Sequence, residues 1–149
     1  MSLAVPALEQ LRASIAGEIV EPDHPGYDDA RRLWNARFDN RPSAIVRPLD
    51  QAEVLATLRF ARERVLPISV RCGGHSNTGQ SACDDGLMID LRNLGTVDVD
   101  AEARIARVGG GALLKSLDTA AQAHGLVCPV GVVGHTGVGG LTLGGGMGR

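Results

Sequence analysis

The chain is poor in the features that mark many functions. Its 149 residues hold one Trp, one Tyr and two Phe, an aromatic share of 3%, so it lacks the stacking platforms that grip single-stranded nucleic acid. Charge is nearly balanced: 15 basic and 17 acidic residues leave −2 at pH 7, which removes the electrostatic footprint of a nucleic-acid or anionic-membrane binder. Three cysteines, Cys72, Cys83 and Cys128, are too few and odd in number for a disulfide framework and read as reduced thiols of a cytoplasmic protein. Long apolar runs are missing too. The opening stretch scatters Glu9, Arg12 and Glu18 among its apolar positions, which is neither a secretory leader nor a membrane span.

Glycine is what the sequence has in excess, 20 residues of 149 against a usual share of roughly 7%. It concentrates in two places. Arg71-Cys72-Gly73-Gly74-His75-Ser76 sets a histidine on a glycine turn directly after the strand-like run Pro67 to Val70. The tail from Gly131 to Gly148 interleaves glycine with Val132, Val133, Val138, Leu141 and Leu143. That tail is too apolar for a solvated Gly/Ser linker, and is expected to lay its backbone against something large and flat.

Between these places the pattern alternates helix and strand signals. Leu8, Leu11 and Ile15 recur at helical spacing, and Asp28 to Arg37 reads as a second short helix; together residues 1–40 form an N-terminal lead-in. Ala44 to Val46 reads as a strand, and Asp50 with Glu53 makes a capping box ahead of a helix carrying Val54, Leu55, Leu58 and Ala61. Ile68 to Val70 closes a β-α-β unit at Gly73-Gly74, where backbone amides approach a ligand closely. Leu87 to Leu91, Thr96 to Val99 and Ile105 to Val108 follow as strands, and Gly109-Gly110-Gly111 opens a helix from Ala112 to about His124. The class is α+β, with residues 41–149 as one domain.

Other chemistry is weakly signalled. Asp28-Asp29 and Asp84-Asp85 are adjacent pairs whose side chains diverge, unlike a general acid/base pair. Asp90 reads as structural, ending a strand. Cys72, His75, Cys128 and His135 offer a zinc-like donor set, but only Cys72-x-x-His75 has ligand spacing and a metal leaves the glycines unexplained. A Rossmann-type nucleotide module needs glycine in its first strand-to-helix turn, which here reads Arg47-Pro48-Leu49-Asp50.

The ordered series Tyr27, Trp34-Asn35, Arg41-Pro42, Arg47-Pro48, Arg71 to Ser76, Asp90-Leu91, Gly109 to Gly111, Gly134-His135-Thr136-Gly137 and Gly144-Gly145-Gly146 resembles the FAD-linked oxidases of the berberine bridge enzyme-like group. These have the vanillyl-alcohol oxidase and p-cresol methylhydroxylase (PCMH-type) fold. The resemblance implies the first subdomain of that FAD-binding domain plus an incomplete second one. Because the sequence stops at Arg149 inside a glycine motif, it is expected to be the opening portion of a longer enzyme, and by itself an inactive fragment that binds FAD weakly or not at all.

By the same resemblance His75 bonds covalently to the flavin 8α position. Gly73 and Gly74 offer amides to the pyrophosphate, and Arg71 and Ser76 line or bond the phosphates. His135 contacts the flavin near its ribityl chain and pyrimidine edge, the alternative being a core histidine satisfied by backbone. Gly134, Gly139, Gly140 and Gly144 let the backbone pass under the cofactor. Two readings of Cys128 stand. Some members make a second bond from a Cys-Pro cysteine to the flavin 6 position, but the interval from Cys128 to His135 is shorter here than in theirs, and a buried thiol is the other reading. The resemblance further implies hydride transfer from a small-molecule alcohol, amine or activated C–H to FAD, with dioxygen as acceptor. It places no catalytic base within this stretch.

Overall fold

The structure is a computed structural model that describes residues 5–146. Helix α1 (Val5–Arg12) leads into strand β1 (Glu18–Val20) and helix α2 (Tyr27–Arg31); β2 (Ala44–Arg47), α3 (Gln51–Glu63), β3 (Ile68–Arg71) and β4 (Leu87–Asp90) follow. A 3-10 turn (Leu91–Asn93) then leads to the hairpin β5 (Val97–Asp100) and β6 (Ile105–Val108), helix α4 (Leu114–Gln122) and helix α5 (Val138–Gly144). No helix among the described residues is long and apolar enough to cross a membrane.

The main sheet has the order β1-β2-β4-β3, with β4 parallel to both β2 and β3, and β1 antiparallel to β2. Thus β4 enters between the two strands of the β-α-β unit. Both faces of the centre are covered, so β2 and β4 read as continuous apolar runs, as strands buried on two sides do. Ala44, Val46 and Leu87 pack with Leu8, Leu11, Phe60 and Ala61 on the side of α1 and α3. Ile45 and Met88 face Val20, Tyr27, Ala30 and Leu33 on the other.

Helix α3 starts where the capping box puts it: Asp50 accepts the Glu53 N–H at 2.9 Å. The Glu53 carboxylate turns back to accept N–H groups from Ala16 (2.7 Å), Gly17 (3.2 Å) and Leu49 (2.8 Å), which moors the lead-in to the domain. Its strand β1 then extends the sheet, with Glu18 opposite Arg47 and Ile19 opposite Val46.

Several elements differ from the sequence expectation. The second lead-in helix ends at Arg31, and Arg32 is extended (φ −64°, ψ 129°). A long-range bond explains this: the Trp34 N–H donates to Gly74 O at 3.0 Å, drawing the chain out toward the histidine turn. Strand β1 has only three residues, too few for a legible alternation. The glycine tail gives no helix signal, since glycine disfavours helix by about 1 kcal/mol per residue, yet the segment Val138–Gly144 is helical. The apolar side of this helix is not covered by the described residues: Leu143 is 91% exposed.

Candidate functional site

Three strand-final residues converge at the carboxyl ends of the parallel strands. Asp90, the last residue of β4, is fully buried and sits 2.7 Å from the Arg92 guanidinium, 3.5 Å from Arg71 Nη1 and 3.6 Å from Arg47 Nε. Arg47 and Arg71 end β2 and β3, so one carboxylate ties all three strand ends together. Arg71 also donates to Arg32 O at 3.3 Å. Burial pulls the Arg71 pKa below its ordinary value, with Asp90 opposing that shift.

Directly after Arg71 the chain makes the glycine turn. Gly74 has φ +69°, and a Cβ there would lie 3.1 Å from the Arg71 guanidinium; only glycine meets both conditions without strain. Next to the turn lies the second motif. Ala112 O accepts the Val138 N–H at 2.8 Å, while Gly134 O and Thr136 O accept the Lys115 and Leu114 N–H groups at 2.8 and 2.9 Å. Those carbonyls satisfy amides at the start of α4, which has no side-chain cap, and they hold His135 between two fixed points.

The two motifs enclose a cavity of about 1050 Å³ whose wall includes Trp34, Gly73, Gly74, His75, Ser76, His135, Gly139, Gly140 and Gly144. His75 Nε2 meets His135 Nδ1, with ring centroids 4.5 Å apart. Trp34 stacks on the His75 ring at 5.3 Å and an interplanar angle of 16°. Burial, and then the charge His135 can carry, push the His75 pKa below the ordinary histidine value. Both causes favour the neutral form of its imidazole. Ser76 Oγ accepts the Gln80 N–H at 3.0 Å, which leaves its own proton to donate into the cavity.

Of the residues singled out in the sequence, Arg71, Cys128 and Gly134 are not on this wall. Arg71 is turned to Asp90 and Arg32, beneath the turn it supports. Pro129, the neighbour of Cys128, lines a separate hollow of about 180 Å³. Gly134 packs its Cα side on Lys115. Cys72, which is on the wall, has its thiol pKa raised by burial. No group of three or more His, Cys, Asp or Glu among the described residues is placed to hold a metal ion.

The cavity suits a large planar cofactor on one observation in particular. Gly140 and Gly144 touch no chain atom within 4 Å of where a Cβ would sit, and both line the cavity. Packing among the described residues does not require glycine there, and a ligand lying against that backbone would. Trp34 was quoted in the sequence motif series but given no role; its stack on His75 depends on a fold contact that no local pattern signals.

Comparison with known proteins points to a flavin-binding family. A family described as FAD binding domain matches residues 42–149. The chain is 38% identical to (R)-6-hydroxynicotine oxidase of Paenarthrobacter nicotinovorans over 135 residues, covering 91% of this chain and 30% of that enzyme. It thus spans under a third of that relative's length. The crystal structure of 6-hydroxy-D-nicotine oxidase from Arthrobacter nicotinovorans superposes with a TM-score of 0.89 at 37% identity, over 99% of this chain and 31% of that one. Glucooligosaccharide oxidase of Acremonium strictum, which has a 6-S-cysteinyl, 8α-N1-histidyl FAD, gives 0.81 at 30% identity, over 95% and 30%.

Proposed function

This chain belongs to the FAD-binding domain family of FAD-linked oxidoreductases, in the berberine bridge enzyme-like branch with the PCMH-type α+β fold, and from that premise we propose that it is the flavin-holding part of an oxidase. The whole enzyme takes a hydride from an alcohol, amine or activated C–H of a small molecule, and dioxygen receives the electrons. The observation that carries this reading is the single cavity that joins His75, Ser76 and the Gly73-Gly74 turn to His135 and the α5 glycines.

FAD, when bound, supplies the hydride acceptor. The chain's own residues do the rest. The Gly73 and Gly74 amides and the Ser76 hydroxyl would offer donors to the pyrophosphate, and His75, on the cavity wall, would provide the ring nitrogen for the 8α attachment. His135 would supply a hydrogen-bond donor that stabilises negative charge on the flavin ring. Cys128 stands off the cavity wall, so the single histidyl bond is the attachment we assign. A second reading, that these residues alone hold FAD weakly and turn nothing over, is favoured by the exposure of Leu143 on the cavity wall.

Flavin fluorescence of the purified chain after SDS electrophoresis tests both. A fluorescent band that disappears in His75→Ala is expected. Yellow protein that releases all its flavin on denaturation would sink the histidyl bond, and colourless protein would confine flavin binding to a longer polypeptide.

A further inference from the structure

Trp34 is an exposed aromatic with an ordered place. Its indole is 64% exposed, so it contributes little to the core, yet it lies nearly parallel to the His75 imidazole and forms part of the cavity wall. Two tethers hold it there. The Trp34 backbone N–H donates to Gly74 O at 3.0 Å, and the Asn35 amide donates to Asn77 O at 3.2 Å. Gly74 and Asn77 flank His75 in sequence, so the Trp34-Asn35 pair brackets the histidine turn from outside. Phe38 adds a third contact: a Cβ on Gly79 would fall 2.5 Å from its ring, which places that ring directly on the far end of the same loop. A lone histidine on a glycine turn has free rotation about two side-chain bonds. Here the indole stacks on the imidazole, and His75 Nε2 meets His135 Nδ1.

We propose that Trp34 is a positioning residue for flavin attachment: its indole holds the His75 imidazole in the orientation from which a ring nitrogen reaches the flavin methyl group. This rests on the histidyl bond proposed above. The bond joins an imidazole nitrogen to the 8α carbon. One C–H of the methyl and the imidazole N–H are lost as two protons, and the electron pair left on the flavin passes to dioxygen, giving hydrogen peroxide. Imidazole, flavin and O₂ thus balance against the tethered flavin and H₂O₂. Trp34 exchanges no atom in this; it acts by removing wrong orientations of His75, and misplacement of a reacting group is expensive in rate.

The test follows covalent flavin formed over time, in the chain mixed with FAD under air and sampled into SDS, beside the non-covalent FAD affinity measured by flavin-fluorescence quenching. Trp34→Leu keeps an apolar side chain but removes the flat face, and Trp34→Phe keeps a flat face. At FAD concentrations that saturate each variant, we expect Trp34→Leu to slow attachment by about tenfold or more, and Trp34→Phe to recover to within about threefold of the parent. Thermal unfolding of both should match the parent, given the indole's exposure. Attachment at parental rate in Trp34→Leu overturns the proposal. So does a loss shared equally by Trp34→Phe and Trp34→Leu, or one explained by weaker FAD affinity or unfolding. If the parent chain binds FAD and never forms the bond, the histidyl reading itself fails and this one falls with it; a parent that attaches normally isolates the Trp34 claim.

Discussion

Gly73 and Gly137 lie backbone against backbone: a Cβ on Gly73 would fall 2.4 Å from the Gly137 nitrogen, and one on Gly137 would fall 2.5 Å from the Gly73 nitrogen. The contact joins two motifs far apart in sequence, the turn after β3 and the loop before α5. It is the reason one cavity is shared by His75 and His135. Neither residue needs a positive φ; what glycine supplies at both is the absence of a side chain in a space already filled.

Gly137→Ala is therefore expected to push the motifs apart, costing about 1–3 kcal/mol in stability and weakening FAD binding with it. Gly140→Ala makes the contrast. Its methyl meets no described atom within 4 Å and sits in helix α5, where alanine is favoured over glycine by about 1 kcal/mol, so stability should hold or rise by up to about that much while FAD affinity drops, because the methyl enters the cavity. Urea unfolding and flavin-fluorescence quenching measure the two quantities. Unchanged FAD affinity in Gly140→Ala would mean that the α5 backbone is not a flavin wall.

Removing the charge of Asp90 should disturb the fold more than any change in the cavity. Asp90→Asn leaves the guanidinium groups of Arg47, Arg71 and Arg92 around a neutral amide in a fully buried position, and breaking a buried pair of this kind costs about 3–5 kcal/mol. The Gly74 turn rests on Arg71, so FAD affinity should fall in the same variant. A urea midpoint equal to the parent's would show that the three arginines are satisfied without the carboxylate.

The pKa of His75 is depressed first by burial and then by His135. The sign follows directly: below the ordinary histidine value of about 6.5 the unfolded chain binds a proton that the folded one resists, so this group's contribution to stability is lost as pH falls through that value toward the folded pKa. NMR titration of His75 should give a midpoint below that of a free histidine. His135→Ala should raise it only part of the way, since burial is the larger cause. A midpoint at or above the free value contradicts the arrangement.

Much of this was legible in the sequence, for reasons that differ by element. The Asp50 and Glu53 spacing located the start of α3 because a cap is a local bond, and β6 was found to the residue because its flanking turns are local too. His75, Ser76 and His135 were legible through their ordered motifs, and the structure brings them to one wall. What could not be read depends on distance along the chain. The end of α2 is set by Gly74, the entry of β4 between β2 and β3 by sheet pairing, and the place of Arg71 by Asp90. The resemblance puts Arg71 among the residues that line or bond the phosphates; the structure ties its guanidinium to Asp90 and Arg32 O, a pairing with a strand-final carboxylate that no local pattern connects to it.

Glu53 carries the last prediction, because its carboxylate does two jobs from one helix position. Its backbone N–H completes the α3 cap on Asp50, while its two carboxylate oxygens accept three backbone N–H groups, from Ala16, Gly17 and Leu49, with the side chain nearly buried. Glu53→Gln keeps the size and the cap but replaces one oxygen with an NH₂ group that faces N–H donors. One or two of the three bonds must be lost, and a hydrogen bond to a charged group is worth about 1.5–3 kcal/mol. The expected loss is about 3 kcal/mol, and because the donors are backbone amides, added salt should change it little. Hydrogen exchange should lose protection first at Ala16, Gly17 and Leu49, and then along β1, whose pairing with β2 begins at Glu18 opposite Arg47. Equal protection at those three amides in Glu53→Gln and parent would show that the lead-in is held by its apolar contacts with α3 alone. If protection is lost there while the Trp34 N–H bond to Gly74 O persists, the mooring of the lead-in and the clasp on the histidine turn are separate devices in one segment.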